Sequence, residues 1–194
     1  ALGAGVETIL NPGLRYSEVM LTNARGVTAR PIAEWIVGVM VMFAKKMQLC
    51  YQRQQARDYT HDDIKPFSLQ GKTIGILGLG AIGNEIARLA KAMDMHVLAT
   101  RRTTVDRQGP FGFIDTLFPP NKTDEVLKTS DFVAIALPLI PETVKSIGER
   151  ELKLMKSTAY LLNVGRGPIV DEAALVRALR EKWIAGAALD VFEV

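Results

Sequence analysis

Thr73-Ile-Gly-Ile-Leu-Gly-Leu-Gly-Ala-Ile-Gly83, continued by Asn84-Glu-Ile-Ala-Arg-Leu-Ala-Lys-Ala-Met93, decides the fold of this chain. Residues 73–77 form an apolar run of strand length, and beyond Gly83 the apolar positions Ile86, Leu89, Ala90 and Met93 recur at helical spacing. The glycines between them have separate physical tasks. Gly78 permits a tight turn, Gly80 lets backbone approach a pyrophosphate, and Gly83 allows the helix to pack closely on the strand. The N–H groups that open the helix, around Ala81, Ile82 and Gly83, would receive the diphosphate. A bare run of such glycines also occurs in ordinary turns of α/β proteins. With a strand before it and a helix after it, the run indicates a dinucleotide cofactor.

Working outward, apolar strand patterns are expected at 73–77, 96–100, 114–118, 132–136, 159–163 and 185–190. Helical patterns fall between most of them, at 81–93, 122–129, 149–154 and 171–182. This alternation predicts an α/β fold with a doubly wound parallel sheet of about six strands, a Rossmann fold. The connection from Thr103 to Phe113 carries Gly109, Pro110 and Gly112 without helical periodicity, so an irregular crossover is expected there.

Upstream, Thr28 stands as a candidate N-cap for one long helix reaching about Arg57, with Pro31 in its first turn and Ile32, Trp35, Ile36, Val39, Met40, Phe43 and Met47 on one face. Val37, Val41 and Met42 make a second face apolar. The pattern suits a buried core helix and a helix in a subunit or domain interface equally well. Asp58 to Ser68 reads as a polar connection. Residues 1–27 are broken by Gly3, Gly5, Pro12, Gly13 and Gly26 and cannot build a core alone, so they read as a remnant, and 28–194 as the dinucleotide-binding domain.

The 194 residues, 48% of them hydrophobic, are enough for one packed domain of this class. Lys and Arg are scattered at a net charge of +3, without the dense stripe or aromatic interleaving of a nucleic-acid groove, so no nucleic-acid partner is expected. The most apolar segment, Ile32 to Phe43, falls short of the ~20 residues of a membrane span and contains Glu34. Cys50 is the single cysteine, which leaves no internal disulfide and no cysteine-rich metal site, and the start is not signal-like. A cytoplasmic location without a metal or membrane partner is the expectation.

Ligands of a doubly wound sheet lie beyond the carboxyl ends of its strands. Those ends read Thr100-Arg-Arg102, Leu137-Pro138 followed by Pro141-Glu-Thr143, Asn163-Val-Gly-Arg166-Gly167, and Ala188-Leu-Asp190-Val-Phe-Glu193. Together with the glycine run, Gly3-Ala-Gly-Val6 and Thr22-Asn-Ala-Arg-Gly-Val-Thr-Ala-Arg-Pro-Ile-Ala-Glu34, the set resembles the D-2-hydroxyacid dehydrogenase family, most closely its glyoxylate and hydroxypyruvate reductase branch. The likeness covers almost the whole chain, and its motifs occur in the family's order and spacing.

The resemblance implies a nicotinamide cofactor held by Gly78, Gly80, Ala81, Ile82, Gly83, Leu137, Pro138, Val164, Gly165 and Asp190, the last as acidic partner of the carboxamide. It implies that the backbone at Ala4 and Gly5 meets the substrate carboxylate, and that Arg166 is catalytic and substrate-binding. A guanidinium fork suits that role, gripping a carboxylate while polarising the carbonyl that accepts hydride. From the motif alone, an arginine satisfying backbone carbonyls is the competing reading. The family's NAD form places an acidic residue after the second strand; here Arg101 and Arg102 stand there, which suits a ribose 2′-phosphate and favours NADP(H) over NAD(H), with Thr103 in reach to assist.

The family also supplies a proton from a histidine held by a glutamate, and neither is assigned here. His61 and His96 read as surface or strand-start residues, and Glu193 is near but does not match the glutamate's place. The expected activity is therefore hydride transfer to the C2 of a small 2-oxo acid in the parental enzyme, with the 194 residues binding cofactor and turning over little. A cofactor-sensing protein on the same fold is the alternative. The 28–57 helix resembles the family's dimer element, so a homodimer is expected. Formate dehydrogenase belongs to the same family, but no residue here marks a formate pocket.

Overall fold

The computed structural model describes residues 5, 12–60, 62–102 and 112–193. At its centre, β1 (Thr73–Leu77) pairs on one side with β2 (His96–Thr100) and on the other with β4 (Phe132–Ile135). With β3 (Thr116–Phe118), β5 (Tyr160–Asn163) and β6 (Gly186–Leu189), they form a six-stranded sheet in the order β3-β2-β1-β4-β5-β6, every pair parallel. The order reverses at β1/β4, the switch point of a doubly wound sheet. The Rossmann expectation is met, and the six strands differ from their sequence bounds by two residues at most.

Helices cover both faces, which is why β4 and β5 are buried throughout rather than alternating, and apolar but for the terminal Asn163. On one face α2 (Ala29–Ala44) and α4 (Ala81–Ala92) bury Ala33, Ile36, Met40, Ile86, Ala87 and Ala90 against Ile74 and Ile76 of β1. On the other, α5 (Thr123–Thr129), α6 (Glu149–Leu154) and α7 (Glu172–Arg180) bury Val126, Leu152, Leu175 and Ala178 with Leu77 and Val133. Gly75 lies on the same side of β1 as Leu77, against α5. A side chain there would collide with Val126 and Ser130, so the glycine sets how closely α5 lies on the sheet.

The single long helix expected over 28–57 is corrected. It is two helices, α2 and α3 (Met47–Ala56), separated at Lys46, whose φ of 54° is left-handed. The buried stripe Ala29, Ala33, Ile36, Met40, Ala44 runs out at that point, and α3 buries no residue. The returning chain then caps α2: the Phe67 N–H donates to the Ala44 carbonyl (2.9 Å), and Lys45 Nζ donates to the Phe67 carbonyl (3.0 Å). Met47, expected on the apolar face, is exposed, and Thr28 precedes α2 without a side-chain capping bond. Asp171 does cap α7, its Oδ1 accepting from the Ala174 N–H at 3.1 Å. A short α1 (Pro12–Arg15) precedes these elements. Of the Thr103–Phe113 crossover, residues 103–111 lie outside the described residues.

Candidate functional site

Strand register builds the site. Thr100, Leu77, Ile135, Asn163 and Leu189 are Cα partners in one row across five strands. Arg101, Gly78, Ala136, Val164 and Asp190 therefore leave the sheet along one edge. The ladder continues a residue past the row, with Ala136 N–H donating to Leu77 O (2.8 Å), Val164 N–H to Ile135 O (3.1 Å) and Asp190 N–H to Asn163 O (3.0 Å).

At the switch point Gly78 has φ +99°, and a Cβ there would sit 2.8 Å from the Ala136 carbonyl oxygen, so only glycine fits on both counts. The buried Thr100 hydroxyl accepts from the Gly78 N–H (3.3 Å), and Leu79 N–H donates to Thr100 O (3.1 Å). Gly80 caps α4, and a Cβ there would meet nothing within 4 Å. A Cβ at Gly83 would drive into the Gly78 carbonyl oxygen. Turn and helix are thus pressed together while the space over the first turn of α4 stays clear. The N–H groups of that turn have no carbonyl one turn earlier to bond. A diphosphate fits this cradle, because an anion gains from those N–H groups and Gly80 puts no Cβ of its own in the path.

Across the crevice the second cluster is assembled around Asn163, which is 1% exposed. Its Oδ1 accepts from the Gly165 N–H (3.0 Å), and its Nδ2 donates to the Arg166 carbonyl (3.0 Å). Arg166 is half-buried, and its Nη1 donates to the Gly165 carbonyl at 2.8 Å. A Cβ at Gly165 would lie 2.8 Å from the Leu137 carbonyl oxygen, so the loops after β4 and β5 meet backbone to backbone. The Leu137–Thr143 loop is held by Thr143, whose hydroxyl donates to Pro138 O (2.8 Å) and accepts from Ile140 N–H (2.9 Å). At Gly167 a Cβ would overlap the Phe192 carbonyl group, so the segment after β6 lies directly on this turn.

The expected cofactor residues Gly78, Gly80, Ala81, Ile82, Gly83, Arg101, Leu137, Pro138, Val164, Gly165 and Asp190 all fall along this edge, Asp190 exposed and Arg102 next to Arg101. Gly5 is described as irregular backbone; Ala4, Thr103 and His61 lie outside the described residues. His96 starts β2 at the opposite edge, its Nδ1 3.3 Å from Asp115 Oδ2. Burial pushes the Asp115 carboxyl up, but the Val97 N–H (2.7 Å), Lys91 (2.9 Å) and His96 outweigh this and hold it below its usual value. Glu193 is occupied at the rim, its N–H donating to Glu172 Oε1 (2.6 Å) and its carboxylate 3.8 Å from Lys145 Nζ. Asn163, Thr100, Thr143 and Gly167 were not singled out from sequence. A buried polar residue closing an apolar strand two positions before a glycine is the signal that marks Asn163.

Among the described residues no group of three or more His, Cys, Asp or Glu is placed to hold a metal, and no helix is long and apolar enough to cross a membrane.

Fold and edge together define a dinucleotide-binding domain of the doubly wound class. More narrowly, the family model for the D-isomer specific 2-hydroxyacid dehydrogenase NAD binding domain matches residues 37–194, and the chain belongs to that family. It is 52% identical over 126 residues to a glyoxylate reductase of Thermococcus gammatolerans, covering 63% of this chain and 36% of the relative. It is similar to the NAD-complexed D-isomer specific 2-hydroxyacid dehydrogenase of Lactobacillus delbrueckii, with a TM-score of 0.80 and 32% identity over 92% of this chain and 53% of that one. The structure described as a "probable 2-hydroxyacid dehydrogenase" of Rhizobium etli in complex with NADP, HEPES and L(+)-tartaric acid gives a TM-score of 0.85 at 27% identity, covering 99% of this chain and 60% of that one. The 126 matched residues span 36% of the Thermococcus relative, and the chain covers 53% and 60% of the two solved structures.

Proposed function

We propose that this chain is the cofactor domain of a reductase that moves hydride between a nicotinamide cofactor and the C2 of a small 2-oxo or 2-hydroxy acid, glyoxylate and hydroxypyruvate being the favoured substrates. The observation that carries the reading is the single row of strand ends, which lines up the Gly78–Gly83 cradle, Arg101, Arg166 and Asp190 along one crevice. The glyoxylate reductase relatives support the substrate class.

The cofactor, when bound, supplies or accepts the hydride at its nicotinamide C4. The α4 N-terminus holds the diphosphate, Asp190 receives the carboxamide N–H, and Arg101 with Arg102 pairs a ribose 2′-phosphate, which makes NADP(H) the favoured form. Arg166 grips the substrate carboxylate and offers positive charge to the carbonyl oxygen as it gains charge. The backbone at Ala4 and Gly5 meets the same carboxylate, and residues 1–27 are the tail of a substrate domain. The resemblance's glutamate and histidine have no counterpart among these residues, so the 194 residues bind cofactor and turn over little. Ile32, Trp35, Val37, Val39 and Val41 flank the buried stripe of α2 as half-buried apolar side chains packed against the core, and the part of them left in solvent supports a homodimer through that helix.

Calorimetric titration with NADP(H) and NAD(H) tests the cofactor assignment, comparing wild type with Arg101→Asp. Tighter NADP(H) binding that reverses in the variant is the expected result. Binding of neither cofactor would overturn the assignment, and an NAD(H) preference in wild type would remove Arg101 from the site. Sedimentation at rising concentration tests the dimer, and a monomer throughout would overturn it.

A further inference from the structure

We infer that Asn163 is the positioning residue of Arg166: a buried side-chain amide that replaces the strand ladder where β5 ends and fixes the backbone from which the guanidinium projects. The inference rests on Arg166 being the carboxylate grip proposed above.

Beyond Val164, whose N–H still donates to Ile135 O, the chain leaves the sheet, and its peptide groups need partners that neighbouring strands no longer give. The Asn163 side chain supplies two of them, its oxygen taking the Gly165 N–H and its nitrogen giving to the Arg166 carbonyl, each at 3.0 Å. The Arg166 carbonyl also accepts from the Ile169 N–H (3.3 Å), so it is held from both sides, with the Arg166 backbone extended at φ −145° and ψ 145°. The guanidinium then closes a third bond onto the Gly165 carbonyl at 2.8 Å. Asn163, Gly165 and Arg166 thus form one hydrogen-bonded unit.

An unpaired amide at a 1% exposed site would be costly, and here both its ends are satisfied by the turn that carries Arg166. Asparagine fits because it has an acceptor and a donor on one short stem. Its backbone is tied as well, its carbonyl accepting from the Asp190 N–H at 3.0 Å, so the unit is anchored to the loop that bears Asp190. Pre-organising Arg166 in this way spares the substrate from ordering it, and a misplacement of about 1 Å at such a group costs up to ~100-fold in rate.

The test is ¹⁵N relaxation of the Arg166 Nε–H in the 194-residue chain, compared with Asn163→Ser and Asn163→Ala. Serine brings in no charge and its hydroxyl can accept or donate, but one oxygen on a shorter stem cannot take the places of both the Oδ1 and the Nδ2 of asparagine; alanine loses both bonds. The expected result is a rigid Arg166 Nε in wild type (order parameter ~0.85) that falls below ~0.6 in both variants. Arg88, paired with Glu85 at 2.9 Å, should stay unchanged as reference. If alanine prevents folding, serine decides. A mobile Arg166 in wild type, or one equally rigid in the folded variants, overturns the inference.

Oxalate titrated in the presence of saturating NADP(H) gives the functional readout, with affinity expected to fall about tenfold in Asn163→Ser at unchanged NADP(H) affinity, within the ~100-fold that such misplacement can cost. Oxalate binding unaffected by Arg166→Ala, or absent from wild type, would overturn the carboxylate-grip reading instead. The relaxation result would still stand by itself.

Discussion

The turn after β1 and the turn after β5 face one crevice and are built by opposite means. The first works by what it lacks: Gly78 admits a left-handed turn against the Ala136 carbonyl, Gly83 admits the Gly78 carbonyl, and Gly80 leaves open space. The second works by what it contains, a buried amide at Asn163 that ties Gly165 and Arg166 into one unit. A diphosphate needs close approach of many backbone N–H groups and makes few demands on side chains. A carboxylate that must present one carbonyl carbon to hydride needs a single side chain aimed well. The two constructions suit the two demands that the proposed function makes of them.

Substitutions at the glycines should break the comparison most strongly. Gly83→Ala forces a Cβ into the Gly78 carbonyl, and Gly165→Ala forces one to 2.8 Å of the Leu137 carbonyl. Each is expected to cost about 1–3 kcal/mol, Gly83→Ala the more, because backbone must move rather than a flexible side-chain end. Urea unfolding of the two variants measures this. Equal stability to wild type at Gly83 would mean that the helix does not depend on that close approach.

Gly80→Ala should separate fold from function within the first turn. Its Cβ meets no atom of the chain, so stability should change by less than about 1 kcal/mol, the size of a lost N-cap preference. Cofactor affinity should nevertheless fall at least tenfold, about 1.4 kcal/mol, as the methyl group enters the diphosphate's space. Calorimetric titration beside a thermal melt reads both quantities. Arg101→Asp should lie next in size, lowering NADP(H) affinity several-fold while leaving NAD(H) binding and the melt close to wild type.

The smallest effect is expected away from both turns, at the amino edge. Asp115 ties the approach to β3 onto β2 through the Val97 N–H and Lys91, and these hold its carboxyl below the usual value against the effect of burial. A depressed folded value means that its contribution is present above the ordinary carboxylate range, near pH 3.9, and is lost as pH falls through the folded value. Unfolding measured between pH 6 and 2.5 should therefore decline less steeply at the acid end in Asp115→Asn. An unaltered acid decline would mean that Asp115 carries no such linkage.

Legibility in sequence divides along the same line. The glycine turn could be read residue by residue, because a missing Cβ is itself a sequence feature and its flanking periodicities fix strand and helix. Arg166 and Asp190 were legible only as a family likeness, since a charged residue after a strand has many uses. Asn163 was quoted within the motif but given no task, because its role lies in which atoms its amide meets. The division of the 28–57 segment at Lys46 was hidden for a similar reason: the apolar pattern counts residues, while the stop comes from Phe67 returning onto the Ala44 carbonyl. Nothing in the sequence marks Gly75, because its need for glycine comes from α5 lying against it.

Strand β6 carries a practical consequence for handling the protein. It is last in the sheet order, so one of its two backbone edges has no ladder partner among the described residues, and its Gly-Ala-Ala-Leu sequence offers no charge to repel a visitor. Such an edge is a template for strand-to-strand association between molecules. Light scattering that grows with concentration, relieved by dilution, is therefore the colloidal behaviour to expect of the isolated chain, and solution measurements on it belong in the micromolar range rather than at the concentrations of a crystallisation trial.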